Sequence, residues 1–245
     1  MPADTPTIVA SSIGFNSLGR GPFDWSAGPI YRYAADLAGA GEHPRICYVG
    51  TAGGDNPAFL QAVYAAFCGA GFLTSHLSLF TMPNVDDVRG HLLDQDVIWV
   101  GGGSTVNLLA VWRAHGLDAI MRECWEAGVV LGGVSAGSLC WHQGGTTDSF
   151  GPELRPVTNC LGFLPYSNGV HYDGEQQRRP LYHRYVADGT FGPGYATDNG
   201  VAVIYRGTEM VEAVAESAGV SAYHLDRSPA GEAVETPIPT RVLTS

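Results

Sequence analysis

The chain has 245 residues, 45% of them hydrophobic and 15% charged, with a formal net charge of −11. That balance suits a globular core and argues against nucleic acid or an anionic membrane as a partner. No apolar run reaches the roughly 18 residues a spanning helix needs, and MPADTPTIVASS lacks the basic-then-apolar pattern of a secretory leader. A cytoplasmic protein is expected. The cysteines Cys47, Cys68, Cys124, Cys140 and Cys160 are scattered and odd in number, which reads as free thiols in a reducing compartment. No Cys or His pair has zinc-ligand spacing; no metal and no organic cofactor is expected.

In chain order, residues 7–13 (TIVASSI) read as a first strand and 14–28 as a Gly-rich loop. Residues 30–40 carry apolar side chains at helical spacing and stop at Gly41. RICYV (45–49) is a short buried strand, GTAGGDNP a loop, and Pro57 suits the first position of a helix over 58–69. A third strand is expected over 73–80 and a short helix over 85–93. DVIWV (96–100) is a further strand that runs into Gly101-Gly102-Gly103-Ser104-Thr105. Two helices follow, one ending at His115-Gly116 and one over 117–127. VVLGGV then reads as a strand, and the chain turns sharply at Ser135.

Past Cys140 the pattern loosens. Residues 144–162 read as loop, 166–171 as a strand ending in His171, and 175–186 as a polar segment that turns helical after Pro180. PGYATDNGVAVIY (193–205) reads as two strands joined by an Asn-Gly hairpin turn. Short strands over 210–215 and 220–225 precede a tail, from Asp226, expected to extend an edge or to be mobile. Strands alternating with helices predict a doubly wound, mostly parallel sheet in a three-layer α/β/α arrangement, and the lack of a linker or repeat predicts a single domain over 1–245. In such sheets ligands bind at the carboxyl ends of strands, where the triple-glycine loop and the Ser135 turn both fall.

The chemistry centres on Gly133-Val134-Ser135-Ala136-Gly137, a G-x-S-x-G pattern between strand and helix. A nucleophile elbow has this form: small neighbours tolerate a strained Ser whose hydroxyl stands clear of the sheet. The plainer reading is a tight turn with a capping Ser. In an elbow the Ala136 N–H and the helix start aim at a developing oxyanion. Such a Ser needs a base, and His171, at the end of a later strand, is the candidate. Asp148, Asp173 and Asp198 are candidates to fix the imidazole. Gly101 to Gly103 could add a second oxyanion donor. The loop has neither the later acid of a dinucleotide fingerprint nor a Walker Lys, so nucleotide binding is not expected.

GGGSTVNLL (101–109) together with GGVSAGSLCW (132–141) resembles the peptidase E and cyanophycinase family of serine peptidases, over roughly residues 45–207. The resemblance implies the class I glutamine amidotransferase-like α/β/α fold. It implies Ser135 as nucleophile, His171 as base, and backbone donors at Gly102 or Gly103 with Ala136. The family's third member, a Glu in a turn between late strands, falls on Asp198 or, shifted by one, on Asn199. An older assignment falls near Asp148. Asp198 is the expectation, because a carboxylate holds an imidazolium. Peptidase E cleaves dipeptides with an N-terminal Asp, helped by an Arg after the His; here Arg178 and Arg179 stand near that position, and an Arg fork suits a substrate carboxylate.

The expectation is a serine peptidase acting on short peptides, including dipeptides with an acidic N-terminal residue, through an acyl-enzyme. The partner is then a small peptide, with no nucleic acid or membrane, and a homodimer is an open alternative to a monomer. The competing readings are a non-catalytic binding or regulatory protein on the same fold, and another acyl hydrolase such as an esterase.

Overall fold

A computed structural model describes residues 3–244. The chain opens with β1 (Thr7–Ser11), a two-rung hairpin of β2 (Asn16–Ser17) and β3 (Trp25–Ser26), and α1 (Pro29–Leu37). Then come β4 (Arg45–Val49), α2 (Pro57–Gly69), β5 (Leu73–Leu77), α3 (Val88–Leu93) and β6 (Val97–Val100). The helices α4 (Thr105–His115) and α5 (Leu117–Glu126) lead into β7 (Val130–Val134) and the single turn α6 (Ala136–Leu139). The second half holds β8 (Gly144–Thr147), β9 (Arg155–Val157), β10 (Ser167–Gly169), α7 (Arg178–Ala187) and β11 (Gly194–Thr197). It closes with β12 (Val201–Arg206), β13 (Glu209–Ala215), β14 (Ala222–Arg227), β15 (Ala233–Ile238) and β16 (Thr240–Val242).

An eight-stranded sheet runs β16-β13-β12-β1-β7-β6-β4-β5. The stretch from β1 to β5 is parallel throughout, and β12 reverses against β1. Successive strand residues face opposite ways, so each parallel strand feeds two cores. One face sends Ile8, Val49, Ile98 and Leu131 against Leu108, Trp112 and Met121 of α4 and α5. The other sends Val9, Ile46, Trp99 and Val130 against Ile30, Tyr31, Val63 and Phe67 of α1 and α2. That is the three-layer arrangement of the class I glutamine amidotransferase-like fold. Each of these fully buried side chains contributes roughly 1.5–3 kcal/mol of transfer free energy.

A second sheet, β15-β14-β11-β10-β8-β9, carries α7 on a small core of Tyr172, Tyr182, Val186 and Leu225. It corrects two expectations. Residues 144–162 hold β8 and β9, because Gly144 and Gly145 pack their backbones against Val157 and Asn168 too closely for any side chain, which hides a strand from apolar-pattern reasoning. The Asp198-Asn199-Gly200 turn is not a hairpin: β11 pairs with β10 and β14 in the second sheet, whereas β12 pairs with β1 and β13 in the first. The turn therefore carries the chain from one sheet to the other. The segment after Asp226 forms the edge strands β15 and β16. Among the described residues no helix is long and apolar enough to cross a membrane.

Candidate active site

β7 ends at Val134, and Ser135 takes φ 57° and ψ −113°, a conformation an L-residue adopts only under constraint. The constraint comes from close packing on both sides of the turn. A Cβ on Gly133 would stand 2.3 Å from the Gly137 carbonyl oxygen, and one on Gly137 2.2 Å from that of Val100. Only glycine at both positions lets the strand, the turn and α6 nest. The Ser135 carbonyl accepts from the Ser138 and Leu139 N–H groups, so the strained residue also opens α6. The Ala136 N–H lies in the first turn of that helix, where backbone donors have no intrahelical partner.

Two consecutive residues at the carboxyl end of the central strand β1 gather the site. The Ser11 carbonyl accepts from the Ser135 N–H at 3.1 Å, and the Ser12 hydroxyl oxygen accepts from the His171 N–H at 2.9 Å. The Ser12 carbonyl accepts from the Gly200 N–H at 3.1 Å, which ties down the turn holding Asn199. The Ser12 hydroxyl also meets Thr197, at 2.8 Å from its Oγ1, and thus clamps β11. Sequence reasoning passed over Ser12; its only signal was a pair of polar residues closing an apolar strand.

His171 sits just past β10 with φ 52°, and its ring Nδ1 lies 2.6 Å from Asn199 Oδ1. An amide oxygen accepts only, so Nδ1 carries the proton and Nε2 is left with a lone pair, the tautomer a general base requires. Asn199 is held by its N–H, which donates to Asp173 Oδ1 at 2.7 Å. The expectation of Asp198 as the imidazole's partner is corrected. Its buried carboxylate turns toward β14, where Oδ2 accepts from the Ser221 N–H at 3.0 Å and the Tyr223 hydroxyl at 3.3 Å. Burial pushes its pKa up, opposed by those hydrogen bonds. Consecutive side chains at this corner take different partners, Asp198 facing Ser221 and Tyr223 and Asn199 facing His171, so a one-residue shift exchanges a carboxylate for an amide. Asp148 is exposed and stands outside the His171–Asn199–Asp173 chain of hydrogen bonds.

Gly102 lies against the elbow: a Cβ there would stand 3.3 Å from Ser135 Cβ and 3.9 Å from its Oγ. Gly103 has φ +136°, and a Cβ on it would fall 2.2 Å from the Ala52 carbonyl oxygen. The Ser104 N–H donates to that same carbonyl, so the triple-glycine loop is pinned onto the loop after β4. The arginines are less available than the sequence implied. Arg178 is buried, bonds Glu175 at 2.9 Å and reaches the Thr146 carbonyl, while its Nε has no partner. Arg179 is paired with Glu235 and lies over the rings of Tyr172 and Tyr223.

Other nucleophiles and bases are built into the core. Burial holds the Cys140 thiol far above its usual pKa and thus protonated. His142 is fully buried between the Ser138 carbonyl and the Tyr205 hydroxyl. Among the described residues no group of three or more His, Cys, Asp or Glu is placed to hold a metal.

Residues 28–213 match the family model "Peptidase family S51". The uncharacterized peptidase YgaJ of Bacillus subtilis (strain 168) is 43% identical over 202 residues, covering 82% of this chain and 86% of that protein. Peptidase E of Shewanella denitrificans is 28% identical over 156 residues, covering 60% of this chain and 66% of that protein. The crystal structure of a peptidase from an acI-B1 Actinobacterium superposes with a TM-score of 0.65 at 15% identity, covering 96% of this chain and 95% of the other.

Proposed function

The chain belongs to peptidase family S51 and is a serine-type peptidase; on that premise we propose that it hydrolyses short peptides through Ser135, His171 and Asn199. Ser135 Oγ attacks the scissile carbonyl carbon while His171 Nε2 takes its proton. The carbonyl oxygen becomes an oxyanion, for which the N–H groups of Gly102 or Gly103 and of Ala136 are the nearby donors. Collapse breaks the C–N bond, and the imidazolium gives its proton to the departing amine. Water, deprotonated by the same imidazole, then attacks the acyl-enzyme and frees Ser135.

The observation that carries this reading is the Ser11–Ser12 clamp, which anchors the backbones of Ser135 and His171 to adjacent residues. Asn199 gives the imidazole its tautomer through an amide oxygen, as in peptidases whose His is oriented by Asn. An acidic N-terminal preference draws little support from the arginines, since a substrate carboxylate would have to displace Glu235 or Glu175 from them. The buried free thiols Cys47, Cys124 and Cys140 support a reducing, cytoplasmic setting.

A fluorophosphonate probe tests the reading. Labelling at Ser135, lost in Ser135→Ala together with all peptide hydrolysis, is the expected result. A folded wild type that neither labels nor cleaves is a binding protein on this fold. Ester turnover with no dipeptide turnover makes it a different acyl hydrolase.

A further inference from the structure

Beside the elbow, at the carboxyl ends of β4 and β6, lies a cavity of about 110 Å³ bounded on one side by Gly102. That volume far exceeds the ~10–15 Å³ a single water needs. A Cβ on Gly102 would stand 3.3 Å from Ser135 Cβ, so the Gly102 wall of the cavity adjoins the nucleophile. Its walls include the rings of Tyr48 and Phe59, with centroids 6.1 Å apart and planes inclined by 28°, and the side chain of Leu60. Asp55 supplies the charge.

Asp55 is buried and held at φ 52°. Its Oδ2 accepts from the Leu79 N–H at 2.6 Å and the Phe80 N–H at 3.1 Å. Its Oδ1 has no hydrogen-bond partner, and it lies 3.2 Å from where a Cβ on Gly50, another wall residue, would stand. A buried carboxylate oxygen without a donor is costly, and the residues lining this cavity include no Lys, Arg or His. A ligand can bring the missing donor. Two aromatic faces around an acidic floor suit a cation in particular, whose attraction to the rings adds to the ion pair. The net charge of −11 favours the approach of the same ligands.

We infer that this cavity is a specificity pocket for a basic side chain, lysyl or arginyl, on the substrate residue that contributes the acyl group. The inference rests on the peptidase reading of Ser135 and names its substrate class. The aliphatic stem of the side chain packs against Tyr48, Phe59 and Leu60, and its cationic head lies beside the Asp55 carboxylate. The pocket thus selects the opposite charge to the one the arginines of α7 suggested.

The test is a panel of X-Leu dipeptides with X as Lys, Arg, Met, Leu and Asp. The expected result is a kcat/KM for Lys and Arg at least tenfold above that for Met, and higher still above Asp. Asp55→Asn keeps one oxygen for the Leu79 and Phe80 N–H groups and turns the other into a donor. It lowers the Lys-to-Met ratio by tenfold or more. Leu60→Arg, which puts a guanidinium into the pocket from another wall, removes the same preference and serves if Asp55→Asn does not fold. A preference for Asp, or equal rates for Lys and Met, overturns the proposal. Should no dipeptide be cleaved and Ser135 stay unlabelled, the peptidase reading fails separately. Calorimetry with lysinamide on Ser135→Ala then decides the pocket: binding weakened by Asp55→Asn sustains it, and no binding overturns it.

Discussion

The ring Nδ1 of His171 and the side-chain oxygen of Asn199 lie 2.6 Å apart, across the corner where the chain passes from one sheet to the other. An amide oxygen there accepts from the ring N–H and fixes the orientation of the imidazole. Asn199→Ala frees the ring to rotate and to lose the productive tautomer, and is expected to lower kcat by about 10²-fold, within the range of general-base contributions. Asn199→Asp keeps the geometry and adds a charge that favours imidazolium. Its acid limb in a kcat/KM profile is expected to move upward by about one pH unit or more. Identical profiles for the wild type and Asn199→Asp would remove Asn199 from the site.

Ser12 is expected to matter as much as the residues it holds. Its buried hydroxyl accepts from the His171 N–H and meets Thr197. Ser12→Ala leaves the His171 N–H without an acceptor, at a cost of about 1–3 kcal/mol. The expected signature is a lower Tm together with a fall in kcat larger than the stability loss explains, because His171 shifts relative to Ser135. A variant with reduced Tm and unchanged kcat would make Ser12 structural only.

The parallel half of the molecule was legible because β4 and β6 are apolar runs closed by glycine and α2 and α4 open at the capping side chains of Asn56 and Ser104. Ser135 and the glycine loop were legible for the same reason: sharp strand-to-helix turns need small residues, and small residues show in a sequence. The second sheet was not. β8 reads GGTT and β10 reads SNG, and their burial comes from backbones packed on backbones. The partner of the His171 ring was also hidden. At Asp198-Asn199 the chemistry of the side chains favours Asp, and only the direction each takes at the sheet-switching corner selects Asn199. Ser12 and Asp55 carry no motif at all; their roles depend on what β10 and the loop after β5 bring to them.

Gly102 and Gly103 are adjacent yet are expected to fail in different ways. A methyl on Gly103 would collide with the Ala52 carbonyl, and its φ of +136° is closed to other residues. Gly103→Ala is expected to destabilise by several kcal/mol, read as a large drop in Tm. A methyl on Gly102 instead comes to 3.3 Å from Ser135 Cβ, a contact that a small shift relieves. Gly102→Ala is expected to keep its Tm within a few degrees while kcat falls about 10-fold or more, as the nucleophile and any oxyanion donor are displaced. Equal effects of the two on Tm would mean that the loop moves as one body and that Gly102 has no special relation to Ser135.

His142 is expected to contribute to the loss of stability in acid. It is buried with its ring against the Ser138 carbonyl and the Tyr205 hydroxyl, and burial pushes its pKa down to about 4, opposed by the Ser138 carbonyl. In the unfolded chain the same ring titrates at its ordinary value of 6.5. Above that value both states are neutral and His142 does not affect the pH dependence. As pH falls from 6.5 toward 4 the unfolded chain takes up a proton that the folded chain refuses, so stability drains away through that window and levels off below it. The loss approaches about 3 kcal/mol at the lower end. His142→Gln, which offers an uncharged donor and acceptor in its place, is expected to start less stable at pH 8 and to lose less on acidification. Thermal unfolding of both proteins between pH 8 and pH 4 reads the difference, and parallel curves would show that the acid sensitivity lies elsewhere.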